Sequence, residues 1–310
     1  MLEVKNISLN YGREVLKDIS LHLKQGEIIS IVGKSGAGKT SLLKIMAGNL
    51  EPTSGDVWFE GVKVKGPITK LIPGHPEVCL VNQDFQLDKY HTTEENIKNP
   101  ILYLPEKERN VFLEELIDLL ELGSVRNQQA ISLSGGEQQR LAIARVIAME
   151  PKVILLDEPF SHLDGLLRKK LINYFLELRR IRKTSLVLVS HDGTEVLGLS
   201  DRIYSMKNGA ITRKGNPHKF YYKPKSLEDA RLFGPMNSIR VGEKRVFFRP
   251  DEFTLDPQDG QTKVDLKFLY SSFTGPVYEN FFQTNHGEQV VLFCFNSLEN
   301  VTTIGVEHKN

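Results

Sequence analysis

Gly33-Lys34-Ser35-Gly36-Ala37-Gly38-Lys39-Thr40 stands between an apolar run, Ile28 to Val32, and an apolar helix pattern, Leu42, Leu43, Ile45 and Met46. The stretch reads G-x-x-x-x-G-K-T, in the order strand, glycine loop, helix that a phosphate-binding loop requires. Its glycines let consecutive backbone N–H groups turn inward around phosphate oxygens. A helix opening at about Lys39 adds its positive N-terminal end. Lys39 can then reach the terminal phosphates, and Thr40 offers a hydroxyl to Mg²⁺. The expectation is a bound nucleoside triphosphate, held by Gly33, Lys34, Ser35, Gly36, Ala37, Gly38, Lys39, Thr40 and Ser41. The motif alone leaves open what work the nucleotide drives.

Outward from this loop, strand and helix patterns alternate. Leu2 to Leu9, Ser20 to Leu23 and Val57 to Gly61 read as strands, with Pro52-Thr53-Ser54-Gly55 as a turn. Val78–Val81, Val153–Leu156 and Ser185–Val189 are short apolar runs of the kind buried on both faces of a sheet. From about Glu94 to Gly123 the spacing predicts helix, with Val111, Leu113, Leu116, Ile117, Leu119 and Leu120 at helix spacing. Glu137 to Ala148 predicts a second helix, halted by Pro151, and Leu166 to Arg182 a third. Such alternation predicts an α/β fold with a mostly parallel sheet covered on both faces. The helical stretch 86–150 reads as an insertion between two sheet halves.

Near residue 236 the character changes to strand-rich sequence. Val264, Leu266 and Phe268 alternate with charged residues, and Asn285-His286-Gly287-Glu288 reads as a hairpin turn. The expected organisation is therefore a larger domain, 1–235, ending in a proline-marked connector, 215–235, and a small all-β barrel or sandwich, 236–310. The formal net charge of +1 argues against a general nucleic-acid binder. No apolar run exceeds about six residues, far below a membrane span, and the N-terminus lacks a signal-peptide pattern. Cys79 and Cys294, both among apolar neighbours, read as buried thiols of a reducing compartment. A cytoplasmic protein, attached to a membrane only through a partner, is expected.

Val153 to Leu156 ends in Asp157-Glu158. Triphosphate chemistry needs a carboxylate beside the metal and often a second group to orient the attacking water. Asp157 suits the first role and Glu158 the second. Ser134-Gly135-Gly136 precedes a strong helix and builds another anion-binding helix end, with no lysine of its own. A two-fold dimer in which each subunit's Ser134–Gly136 loop completes the other's Gly33–Thr40 site would explain it.

Leu133-Ser134-Gly135-Gly136-Glu137-Gln138-Gln139-Arg140 resembles the signature motif of ATP-binding cassette (ABC) ATPases. Other landmarks fall in that family's order over residues 1–235. Tyr11 stands where the family has an aromatic that stacks on adenine. Gln83 matches the glutamine that links Mg²⁺ and water to the helical insert. Ser161-His162-Leu163-Asp164 matches the loop crossing the dimer seam, although His162 replaces a small residue there. Ser190-His191-Asp192 matches the switch-histidine segment. The resemblance implies an α/β P-loop NTPase fold, ATP and Mg²⁺ as ligands, and hydrolysis by Glu158 with His191 and Lys39. It implies Thr40, Gln83 and Asp157 at the metal, and Tyr11, Ser134, Gly135, Gly136 and Asp164 in a nucleotide site shared by a homodimer.

Asn82-Gln83-Asp84-Phe85-Gln86-Leu87 and His91 to Ile97 resemble the importer ATPases of the maltose, polyamine, sulfate and ferric-iron type. So do Gly215-Asn216-Pro217, Tyr222, Pro224, Ala230, Gly234 and Asn237. Phe248-Arg249-Pro250-Asp251-Glu252 resembles a strand turn of their oligomer-binding-like (OB-like) accessory domain, the TOBE domain, with Asp251 in place of glutamate. That likeness implies a membrane permease docked on the helical insert, an extracytoplasmic substrate-binding protein in the complex, and a place on the inner face of the membrane. An exporter ATPase and a non-transport ABC protein are the alternatives. The β-rich tail stands against the first; the single cassette without a long coiled coil stands against the second.

Overall fold

The structure, a computed structural model, describes residues 1–70, 74–81 and 85–307. In the unit Met1–Pro217 the elements run β1 (Leu2–Asn10), β2 (Glu14–Leu23), β3 (Ile28–Val32), α1 (Lys39–Met46), β4 (Ser54–Phe59), β5 (Val62–Lys63) and β6 (Val78–Val81). They continue with α2 (Thr93–Lys98), α3 (Glu106–Leu119), α4 (Gly135–Ala148), β7 (Val153–Asp157), α5 (Gly165–Arg182), β8 (Ser185–Ser190), β9 (Arg202–Lys207) and β10 (Ala210–Gly215).

Six strands form the central sheet in the order β10-β9-β3-β8-β7-β6, parallel except for the edge pair β9–β10. Every residue of β3, β7 and β8 is buried, as two-sided coverage demands. Alternate residues feed opposite cores, because strand side chains alternate in direction. Ile28, Ile154, Leu156, Leu186 and Leu188 join a core with α3, α4 and α5. Ile29, Ile31, Leu155, Val187 and Val189 join a second core with α1 and a separate antiparallel sheet, β2-β1-β4-β5. That second sheet is an addition to the expected layers. Ser54 and Gly55, expected in a turn, already lie in β4.

The continuous helix expected over 94–123 is interrupted. Pro100 stands in a 3-10 turn, Asn99–Ile101, and Pro105 caps α3. Neither proline can supply the N–H that an unbroken helix would use. Val111 is exposed, while α3 buries Phe112, Leu113, Leu116 and Ile117.

The unit His218–Asn310 contains most of α6 (Pro217–Tyr222), then α7 (Leu227–Arg231), β11 (Asn237–Val241), β12 (Lys244–Phe248), β13 (Thr262–Phe273), β14 (Tyr278–Thr284), β15 (Gln289–Cys294) and β16 (Thr303–Val306). Its strands form two antiparallel sheets, β11-β12 and β15-β14-β13-β16, around a core that includes Ile239, Phe248, Leu266, Phe282 and Leu292. This is an all-β, OB-like arrangement. Arg249 is fully buried there. Its guanidinium donates to the carbonyls of Tyr221, Ala230, Gly234 and Pro235 at 2.9–3.1 Å and lies 4.2 Å from the Tyr221 ring centroid. Cys79 and Cys294 are free and half-buried, less enclosed than expected.

Candidate active site

The strand order β3-β8-β7 brings three loops side by side at the carboxyl ends of parallel strands, where open α/β sheets bind ligands. The glycine loop follows β3, Ser190-His191 ends β8, and Asp157-Glu158 ends β7. The Gly33 N–H donates to the Ser190 carbonyl at 3.3 Å, fastening the first loop to the second. A Cβ on Gly33 would lie 2.2 Å from the Met206 carbonyl oxygen, so only glycine fits. Gly38 enters α1 at φ +96, a left-handed conformation that glycine adopts without strain.

Lys39, 5% exposed, sits in the first turn of α1. Its Nζ donates to the carbonyls of Gly33 at 2.7 Å and Lys34 at 3.1 Å, so the ammonium spans its own loop. Burial pulls its pKa down, while Glu158 and then Asp157 act to hold the charge. Asp157, also 5% exposed, accepts a hydrogen bond from Thr40. Burial nevertheless raises its pKa. Asp157 Oδ2 is buried without a hydrogen-bond partner among the described residues. A buried carboxylate oxygen lacking a donor, next to a hydroxyl, is the kind of oxygen set a hard divalent cation takes. The residues present therefore fit Mg²⁺.

Glu158 adopts φ +50, outside the range non-glycine residues prefer, at a cost on the order of 1–2 kcal/mol. Its backbone is pinned on both sides. The Glu158 N–H donates to the Val189 carbonyl at 3.0 Å. Its own carbonyl accepts from Gln139 Nε2 and from Ser161 Oγ, each at 3.0 Å. The side chain meets His191, with Nδ1 3.0 Å from Glu158 Oε1. His191 is the more exposed of the two, leaving the imidazole open to a ligand.

Ser134 caps α4 through a reciprocal box: it accepts from the Glu137 N–H, and Glu137 Oε2 accepts from the Ser134 N–H at 2.8 Å. That bonding holds the Glu137 carboxyl below the usual range, the Ser134 hydroxyl contributing most. Gly135 and Gly136 open the helix behind it. Asp164 caps α5, accepting from the N–H groups of Leu166 at 2.8 Å and Leu167 at 2.9 Å, and these bonds lower its pKa.

The structure thus gathers Lys39, Thr40, Asp157, Glu158 and His191 into one group. Ser134–Gly136 and Asp164 stand at two other helix starts, and Tyr11 lies exposed in the turn after β1. Gln83 lies outside the described residues. Sequence reasoning missed Gln139 as a support of Glu158. No local pattern signals that role, because the partner is a backbone carbonyl.

The chain is similar to known proteins. The ABC transporter family pattern matches residues 16–161. The sulfate/thiosulfate import ATP-binding protein CysA of Pseudomonas syringae pv. tomato is 34% identical over 266 residues, covering 83% of this chain and 80% of that protein. The spermidine/putrescine import ATP-binding protein PotA of Bacillus anthracis is 37% identical over 254 residues, covering 81% and 76%. Among solved structures, the dimeric ATP-binding cassette MJ0796, in a post-hydrolysis state bound to ADP and Pi, matches with a TM-score of 0.63. It is 30% identical, and the match covers 70% of this chain and 99% of that one.

Proposed function

The chain belongs to the ABC transporter ATPase family, and from that premise we propose that it is the ATP-hydrolysing subunit that energises a membrane importer. The observation that carries the reading is the Glu158–His191 pair, 3.0 Å apart, beside the buried Lys39–Thr40–Asp157 group. Glu158 polarises the water that attacks the γ-phosphorus, and His191 orients Glu158 and donates to the γ-phosphate. Lys39 and the N–H groups of the glycine loop neutralise phosphate charge. Thr40 and Asp157 would hold Mg²⁺, and by the family likeness Gln83 would join them; the ion would supply charge neutralisation of the phosphates when bound. Among the described residues no cluster of three or more His, Cys, Asp or Glu side chains could hold a metal alone, so most ligands would come from the triphosphate.

Two copies of the chain form a homodimer in which Ser134, Gly135, Gly136 and Asp164 of each close on the nucleotide of the other, and Tyr11 stacks on adenine. Closure shifts the open–closed equilibrium by as much as ATP prefers the closed state. Residues 1–235 do this work, and 236–310 serve as the TOBE-like accessory domain. A groove of about 450 Å³ beside the insert, lined by Cys79, Phe85, Gln86, Ala142, Arg145 and Met149, supports docking of a permease helix. Arg145 stiffens its wall, donating to the Gln86 carbonyl at 2.7 Å and pairing with Asp88 at 2.9 Å. Among the described residues no helix is long and apolar enough to cross a membrane. The protein then works at the inner face of the membrane, on a permease that receives cargo from an extracytoplasmic binding protein.

The test is Glu158→Gln with MgATP, followed by sedimentation and by co-purification with membrane subunits from its own cells. A dimer that retains ATP, turns over at least about 100-fold more slowly and brings down a permease is expected. Near wild-type turnover removes Glu158 from the chemistry, and a monomer at saturating MgATP removes the shared site.

A further inference from the structure

His162 sits in the segment Ser161–Asp164, between β7 and α5, and is exposed. Its Nδ1 lies 3.0 Å from Gln139 Oε1 and 3.0 Å from Ser161 Oγ. The direction of each bond follows from the other ends. Gln139 Nε2 donates to the Glu158 carbonyl, so its Oε1 faces His162 as an acceptor. Ser161 spends its single hydroxyl proton on the same carbonyl, so toward His162 it too accepts. Nδ1 therefore carries a proton, and that one N–H serves both acceptors. Gln139, 4% exposed, belongs to α4, the helix whose first turn is Gly135-Gly136. A Cβ on Gly136 would lie 3.7 Å from His162 Cβ, so the imidazole stem also rests against that turn.

We propose that His162 is a positioning residue for hydrolysis: its Nδ1–H locks Gln139 and Ser161 onto the Glu158 carbonyl and so fixes the left-handed backbone that aims the Glu158 carboxylate. The inference rests on Glu158 acting as proposed above. Fixing the peptide bears on the chemical step and not on nucleotide capture, because none of these bonds involves the glycine loop. A displacement of a reacting group by about 1 Å can cost on the order of a hundredfold in rate. A loosened but still tethered carboxylate should cost less.

The experiment compares His162→Ala, His162→Asn and His162→Gln in full-length protein, with steady-state ATP hydrolysis and thermal melting. An asparagine amide N–H falls near the place of Nδ1, whereas a glutamine amide reaches the place of Nε2. His162→Ala should lower kcat about tenfold with KM for ATP within about twofold. His162→Asn should recover most of that loss, and His162→Gln should not. Unchanged kcat in the alanine variant, equal rescue by glutamine, or a change confined to KM each overturns the proposal. A general fold defect would lower melting temperature in parallel with kcat for all three variants, and that outcome also rejects it. Glu158→Gln run alongside separates the failures. If it abolishes hydrolysis while His162→Ala behaves as wild type, only the positioning role falls; if it hydrolyses normally, the catalytic reading falls first.

Discussion

His191 Nδ1 and Glu158 Oε1 meet at 3.0 Å across the ends of two neighbouring strands, β8 and β7. Because the two side chains act as one unit, their removal should not be additive. His191→Ala is expected to lower kcat by roughly 100-fold, the scale of a lost general acid–base partner. Combined with Glu158→Gln, it should add less than about threefold more. Pre-steady-state and steady-state hydrolysis of the two single variants and the double variant measures this, and full additivity would show two independent groups.

Tyr11 is 62% exposed, so its ring gains little from the protein itself. Tyr11→Ala should weaken ATP binding by about 1–3 kcal/mol if a base stacks there, and leave the melting temperature of the nucleotide-free protein nearly unchanged. Tyr11→Phe should bind as the wild type does. Fluorescent-nucleotide titration reads both.

Asp157 carries a pH signature. Burial raises its carboxyl above the ordinary 3.8, with the Thr40 hydrogen bond opposing the change. The native state then holds this proton more tightly than the unfolded chain. Its contribution falls as pH rises from about 3.8 through the raised native value, and stays reduced at neutral pH. Asp157→Asn removes that penalty, and Glu158 remains to support the Lys39 charge. The nucleotide-free variant should melt a few degrees higher at pH 7, where each kcal/mol is worth roughly 2–4 °C in a protein of this size. The gain should vanish near pH 4, and the extra stabilisation by Mg²⁺ with ATP should be lost. Scanning calorimetry across pH, with and without MgATP, checks all three.

Arg249 is expected to be the most sensitive position of the second unit. Arg249→Met keeps volume but removes the charged donor. The Ala230 carbonyl keeps the Phe233 N–H at 3.0 Å, while those of Tyr221, Gly234 and Pro235 each lose a part-buried bond to a charged group, worth about 1.5–3 kcal/mol. A loss of at least about 3 kcal/mol is expected, seen as a lower denaturant midpoint, with ATP affinity unaltered. Limited proteolysis should cut the variant faster after Tyr221–Pro235.

The parts of the molecule that bury both faces of a strand were legible in the sequence. Ile28–Val32 and Val78–Val81 match their strands at both ends, and Val153–Leu156 and Ser185–Val189 each fall one residue short. A strand covered on both sides is apolar except where a buried hydroxyl finds a partner, as Ser30 does with Ser200 at 2.6 Å, and turn residues punctuate it. The helical region was read less well: the apolar spacing that marks it begins at Val111, and Pro100 and Pro105 break the backbone bonding a helix over 94–123 would need. The grouping of Lys39, Thr40, Asp157, Glu158 and His191 follows from strand order, which no local pattern states; the family's motif order stood in for it. Gln139 was illegible because its role is a contact with a backbone carbonyl, and backbone acceptors leave no mark on residue identity. Arg249 was visible as a motif member, but its four carbonyl partners come from a segment whose composition suggested only a connector.

The guanidinium of Arg249 gives the chain a preferred seam. All four of its acceptors lie between Tyr221 and Pro235, so that stretch is sewn to the strands that follow it. A tail grafted from a relative will carry its fastening with it only if the splice is made ahead of Tyr221. A splice at 236 would leave a buried cation in one parent and its oxygens in the other.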